Sequence, residues 1–211
     1  MTDQSHIKLT TDLFTATLQR EASLYGVALT AEATARLADY YCLVNLWNSR
    51  LHLVAPCAPE EFARRHILES LFAMSYLPLK ARLIDIGAGA GLPSIPCLIV
   101  RSDLHAQLIE ASAKKSVFLR EALRTLGLSA ASHILNHRFE QIEAPLAESL
   151  TCRALDAYSK LLPALLNWGS AIPILILFGG PSLAKDLDKL VDYESILLPQ
   201  SEQRYMFLVK S

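Results

Sequence analysis

The 211 residues are 52% hydrophobic and 19% charged, with 8 glycines and 10 prolines, a balance that supports a packed core and excludes intrinsic disorder, collagen-like repeats and two full-sized lobes. Twenty Lys and Arg stand against 21 Asp and Glu, for a formal net charge of -1; this excludes a histone-like polycation, so any contact with phosphates has to come from a local basic face. The four cysteines, Cys42, Cys57, Cys97 and Cys152, include no CxxC pair, so buried reduced thiols are expected rather than a zinc knuckle or a disulfide framework.

After Thr11, residues Leu13, Phe14, Thr17, Leu18 and Leu24 fall at helical spacing, and Gly26 closes the segment because glycine accepts the left-handed conformation that ends many helices. Thr30 is placed to cap a second helix, in which Leu37, Tyr40, Val44 and Trp47 recur every three or four residues as a core-facing stripe. Pro59 suits the first turn of a third, with Phe62, Ile67, Leu71 and Met74 as its buried side up to Pro78.

From Arg82 the pattern becomes short apolar runs separated by helical stretches, the alternation of a parallel sheet with crossover helices. Strands are expected at 83–86, 106–110, 133–136, 150–153 and 172–178, with helices at 95–101, 114–126, 158–166 and after Ser182. Residues 195–198 and 205–210 read as an antiparallel hairpin across the polar stretch 199–204. The expected architecture is an open, mostly parallel α/β sheet ending in a hairpin (80–211), with a helical extension packed on it (1–79). The first ten residues hold no apolar segment behind a basic start, and the longest apolar run, 171–178, is far short of a membrane span. A cytoplasmic protein without membrane association is expected.

The most informative stretch is Asp85-Ile86-Gly87-Ala88-Gly89-Ala90-Gly91-Leu92-Pro93, a strand running into a small-residue turn and then a helix. Alternate glycines let the backbone bend sharply and let a ligand approach without Cβ contact, while the helix start presents free N–H groups. The dinucleotide fingerprint sets its third glycine three residues after the second; here Gly91 follows Gly89 directly after Ala90, and position 92 is Leu. Glu110, at the end of the second expected strand, stands where a carboxylate can accept from both hydroxyls of a ribose. Strand, turn, helix and acid in this order point to an adenosyl ligand rather than to a bare turn beside an ordinary charge.

The GxGxG spacing resembles motif I of class I methyltransferases, which bind S-adenosylmethionine. Trp47-Asn48, the segment Arg65-His66-Ile67-Leu68-Glu69-Ser70, the run 84–96, Lys114-Lys115 with Phe118-Leu119, Arg138-Phe139-Glu140 and Arg153-Ala154 together resemble the RsmG/GidB family, which methylates N7 of a guanosine in 16S ribosomal RNA. The likeness covers most of the chain after about Tyr40. It implies a Rossmann-like class I methyltransferase fold, S-adenosylmethionine as cofactor, and 16S ribosomal RNA or the small ribosomal subunit as partner; a monomer is expected. It further implies that Asp85, Gly87, Gly89, Gly91, Leu92 and Glu110 hold the cofactor, with Phe139 and Glu140 beside the adenine and Arg153 between cofactor and substrate. Arg65, His66, Lys115 and Arg138 are implied substrate contacts. The chain departs from the family pattern where His52-Leu53-Val54 replaces Asn-Leu-Thr, and where Phe178-Gly179 replaces Lys-Gly, which removes a cation near the substrate side.

Guanine N7 already carries an available lone pair, so methyl transfer to it requires alignment and exclusion of water rather than a general base. That agrees with the lack of an obvious catalytic dyad, and it casts Arg153 as a group that positions phosphate or base. Lys114, Lys115, Arg120 and Arg124 share a helix flank that reads equally as a solvated face or a phosphate contact. Two other functions fit parts of the sequence. A nicotinamide-dependent oxidoreductase has Leu92 against it, and a catalytically lapsed RNA-binding homologue is suggested by Phe178.

Overall fold

The computed structural model describes residues 3–153 and 158–210; Ala154 of the family-like segment lies outside them. Helix α1 (Asp3–Glu21) begins well before the expected boundary at Thr11. Thr10 and Thr11 do not cap it: their hydroxyls donate back to the carbonyls of His6 (3.1 Å) and Ile7 (2.8 Å), as hydroxyls do inside a helix. A 3₁₀ turn (Ala22–Tyr25) closes on Gly26 at φ 67°. Thr30 caps α2 (Ala31–Leu51), its side chain accepting from the Ala33 N–H at 3.0 Å.

The third helical stretch is not one regular helix. A short α3 (Pro59–Phe62) passes into a π-helical turn (Ala63–Leu68) and then α4 (Glu69–Met74). Phe62 and Ile67, five residues apart, are 1% and 0% exposed. A π turn, with its i→i+5 bonding, brings such a pair onto one face.

Seven strands form one sheet: β1 (Arg82–Ile86), β2 (His105–Ile109), β3 (Ser132–Leu135), β4 (Ser149–Arg153), β5 (Ile174–Gly179), β6 (Glu194–Leu197) and β7 (Tyr205–Lys210). Crossovers include α5 (Ser94–Val100), α6 (Ala113–Thr125) and α7 (Tyr158–Trp168), and α8 (Pro181–Leu187) follows β5. The order is β3-β2-β1-β4-β5-β7-β6, with the first five parallel and β7 antiparallel to both neighbours. β5 starts later than the expected 172, because Pro173 has no N–H to give the ladder and the Ile172 N–H turns back to Gly169 O at 2.9 Å. The two closing strands pair as a hairpin, but the second one occupies the interior position. β7 is buried from Met206 to Val209, whereas β6 is largely exposed; the apolar strand is sandwiched and the polar one takes the edge.

Apolar clusters cover both faces of the sheet. One joins the N-terminal helices to the sheet through Phe14, Leu37, Tyr40 and Phe62 with Leu83, Phe118 and Leu208. The other packs Phe139 and Leu162 on Ile84, Leu177 and Phe207. Trp47 belongs with the first, its ring edge-on to Phe118 at 6.0 Å. Among the described residues no helix is long and apolar enough to cross a membrane.

Candidate functional site

The glycine turn leaves β1 at the sheet's carboxyl edge, between the strands where the chain's direction of winding reverses, the place where open α/β sheets build their ligand crevices. Gly87, Gly89 and Gly91 all have positive φ, at 67°, 53° and 86°. The Gly87 and Ala88 N–H groups donate to Ile109 O at 2.9 and 3.2 Å, which ties the turn to the end of β2. From beneath, the buried Tyr40 hydroxyl donates to Ala90 O at 2.8 Å. That link between α2 and the turn is invisible in sequence, where Tyr40 is one more apolar stripe position.

Glu110 closes the arrangement. One carboxylate oxygen accepts from the Gly89 N–H at 2.8 Å and the other from the Ser112 N–H at 2.7 Å. A carboxylate offers about four lone-pair sites, so each oxygen retains acceptor capacity toward the cleft. Asn136 braces the same corner by donating to Glu110 O (2.8 Å) and Ala111 O (3.2 Å).

The cleft above has a volume of about 230 Å³ and is lined by Ile86, Gly87, Ile109, Glu110, Lys115, Arg138, Phe139, Glu140 and Leu161 among others. Apolar side chains (Ile86, Ile109, Phe139, Leu161) and charged ones (Glu110, Lys115, Arg138, Glu140) converge on it, the mixture that a small polar ligand with a planar base requires. Phe139 is fixed from behind by Trp168, whose ring meets it edge-on at 5.8 Å while the indole N–H donates to Ile142 O at 2.8 Å. The site therefore fits an adenosyl group: apolar side chains for a planar base, and Glu110 for vicinal hydroxyls.

Of the residues singled out in sequence, Gly87, Glu110, Phe139 and Glu140 line this cleft together with Lys115 and Arg138, the latter two singled out for substrate. Gly89 joins through its N–H, while Gly91 and Leu92 lie at the packed root of the turn, Leu92 being buried. A Cβ on Gly91 would stand 2.4 Å from Ile95 Cδ1. Asp85 is fully buried below the turn, and neither of its oxygens has a partner at hydrogen-bonding geometry. Burial pushes its carboxyl up to about 7, with Ser94 and Thr151 offsetting only part of that cost.

Arg153, Arg65 and His66 lie elsewhere. Arg153 and Arg65 line a second cavity of about 290 Å³ over β4 and β5, together with Glu69, Tyr158, Phe178, Gly179, Leu198, Arg204 and Tyr205. Glu69 is 1% exposed and holds two cations, Arg153 at 3.2 Å and Arg204 at 2.7 Å. The Arg153 guanidinium also donates to Arg65 O and lies 5.4 Å over the Phe178 ring. The π turn explains the free carbonyl: the Glu69 N–H bonds to Arg64 O, so Arg65 O, which a regular α-helix would pair with it, is open to Arg153. His66 packs edge-on against Phe62 at 4.8 Å, and burial, with Arg153 next in effect, holds its imidazole down at about 3. Sequence reasoning missed Arg204, which sits at the end of a stretch read only as a polar connection; nothing local marks its pairing with Glu69.

The family model described as rRNA small subunit methyltransferase G matches residues 33–207. The chain belongs to the GidB family. A curated relative of this GidB member, the ribosomal RNA small subunit methyltransferase G of Xanthomonas campestris pv. campestris (strain B100), is 39% identical over 140 residues, 66% of this chain and 65% of the relative. The GidB chain thus spans just under two thirds of that relative's length. Among solved structures, the putative methyltransferase yhhF from Escherichia coli aligns with a TM-score of 0.54 at 15% identity, over 68% of this chain and 85% of the other. M. jannaschii TYW2 in complex with AdoMet aligns with a TM-score of 0.53 at 14% identity, over 69% and 74%. At such identities they show the fold alone, which is Rossmann-like.

Proposed function

We propose that this protein transfers a methyl group from S-adenosylmethionine to N7 of a guanosine in 16S ribosomal RNA. The observation that carries the reading is the Glu110 carboxylate, pinned by the Gly89 and Ser112 N–H groups at the mouth of the glycine turn, in a chain of the GidB family. Family membership also weighs against a nicotinamide-dependent oxidoreductase. The reading has the protein act in the cytoplasm, as a monomer, on 16S ribosomal RNA or the small ribosomal subunit.

When bound, S-adenosylmethionine supplies an electrophilic methyl group on a sulfonium. Glu110 would take the ribose hydroxyls, Phe139 and Glu140 would flank the adenine, and Gly87 and Gly89 would let the ligand lie close to the backbone. Asp85, Gly91 and Leu92 would act through the shape of the turn. Guanine N7 needs no base to expose its lone pair, so the remaining work of this chain is positioning, which in well-oriented reactions supplies about 7–11 kcal/mol of barrier reduction. Arg65, Arg138, Arg153, His66 and Lys115 are proposed for the RNA side, where guanidinium forks suit phosphates.

Incubation with methyl-labelled S-adenosylmethionine and small subunits lacking the modification, followed by mapping of the label, tests the proposal. Label on one guanine N7 is expected. Binding of the cofactor with no label on any RNA would instead favour a catalytically lapsed homologue.

A further inference from the structure

Two loops form one wall of the Glu110 cleft: the glycine turn, which leads into α5, and the segment after β2, which leads into α6. Helix α2 is fastened to both. Arg36, Tyr40 and Trp47 stand four and eleven residues apart along it, a spacing that at 3.6 residues per turn brings all three onto one face. Arg36 reaches the far ends of the two helices, one guanidinium nitrogen donating to Leu126 O at 2.8 Å at the end of α6 and another to Ile99 O at 3.5 Å in the last turn of α5. Trp47 meets the Phe118 ring of α6 at 6.0 Å. Between these two fixings the Tyr40 hydroxyl, wholly buried, donates to Ala90 O at 2.8 Å, inside the glycine turn itself.

The sheet side of the turn has its own anchors. Gly87 and Ala88 are tied through their N–H groups to the end of β2, and Gly89 to the Glu110 carboxylate. The Ala90 carbonyl is where the helical layer takes hold. Glycine backbone loses more freedom on ordering than any other, so a turn with glycine at alternate positions carries a large ordering cost if it takes its binding shape only when a ligand arrives. A loop held in that shape beforehand binds more tightly, because the cost has already been met by the fold. We propose that α2 is a splint for the cofactor cleft and that Tyr40 is a positioning residue, its hydroxyl fixing the glycine turn in its ligand-binding shape. The inference rests on the methyltransferase reading for the identity of the ligand. It gives the N-terminal helical extension a share in cofactor affinity as well as in the core.

The test is calorimetric titration of S-adenosylhomocysteine into the 211-residue chain. Tyr40→Phe deletes the hydroxyl and keeps the ring; it is expected to weaken binding about tenfold. KM for S-adenosylmethionine should rise in the same proportion with kcat within about twofold, the pattern of an interaction that serves ground state and transition state alike. Tyr25→Phe is the control: Tyr25 is buried in the same apolar cluster and its hydroxyl has no hydrogen-bond partner, so the same deletion there should leave the affinity within about twofold. Thermal melts establish that each variant is folded at the temperature of titration. If Tyr40→Phe is not, Arg36→Gln, which loosens the other end of the splint, takes its place, with an expected loss of about fivefold. The proposal is overturned if the folded variant binds within about twofold of the unaltered protein, if Tyr25→Phe weakens binding as much, or if kcat falls while KM stands. Those results leave the methyltransferase reading untouched, whereas an unaltered protein that binds no S-adenosylhomocysteine overturns that reading and the role of Tyr40 together.

Discussion

Glu110 is a single side chain that fastens two loops and still faces the cleft. Replacing it with alanine removes the acceptor for the Gly89 and Ser112 N–H groups, and lost hydrogen bonds to a charged group cost about 1.5–3 kcal/mol each. Glu110→Ala is expected to weaken S-adenosylhomocysteine binding about a hundredfold by calorimetry; an affinity within twofold of the unaltered protein would remove Glu110 from the cofactor site. Asp85 gives a prediction in pH. Its carboxyl titrates at about 7 in the folded chain against an ordinary 3.8. The stabilisation from burying the neutral form is therefore complete below about 3.8 and is lost as the pH rises through about 7, a ceiling of about 4 kcal/mol. Asp85→Asn stays neutral throughout, so the parent's melting temperature should fall relative to that of Asp85→Asn as the pH rises across that window, the His66 contribution being common to both. His66 works in the opposite direction: held at about 3 against an ordinary 6.5, it favours the fold above 6.5 and loses that contribution as the pH falls toward 3. Relative to the parent, His66→Phe should gain melting temperature as the pH falls from about 6.5 toward 3, since it lacks the contribution that the parent loses there.

Among the elements, the β1–turn–α5 unit was the most legible, because alternate glycines between an apolar strand and a helix mark a turn whose backbone takes conformations that other residues avoid. Its three positive φ values follow from those residues. They are not equivalent. Gly89→Ala meets nothing closer than 3.6 Å and carries only the left-handed penalty, whereas Gly91→Ala also drives a Cβ to 2.4 Å from Ile95 Cδ1. Chemical denaturation should show about 1–2 kcal/mol lost for the first and about 2–5 kcal/mol for the second, where overpacking adds to the strain. The π turn was not legible as such, although the five-residue step from Phe62 to Ile67 in the apolar stripe was its trace; regular periodicity absorbs one such step as noise. The start of α1 was misread because threonine looks like a cap in sequence and only the fold shows its hydroxyl turned back into the helix. Long-range pairings such as Tyr40 to Ala90 or Glu69 to Arg204 leave no local signature, so the second cavity could not be assembled before the strands were in order.

At the level of the whole molecule, the helices before residue 80 and one face of the sheet share a single apolar cluster. A chain beginning at residue 80 would expose Leu83, Phe118 and Leu208 on that face and lose the Tyr40 hydroxyl under the glycine turn. It is expected to lose cooperative thermal unfolding by circular dichroism; a sharp transition from such a fragment would mean that the sheet stands alone. The near-neutral charge of the whole chain conceals the guanidinium groups of the second cavity, which is why composition could exclude a polycation yet say nothing of a local basic wall. The sheet's strand order carries a further consequence for biogenesis. Because β7 lies between β5 and β6, β6 leaves the ribosome with no docking partner, and the apolar flank of β5 stays bare until residue 210 has emerged. During vectorial synthesis, when earlier segments fold before later ones exist, that bare flank is the stretch of this nascent chain most in need of a chaperone.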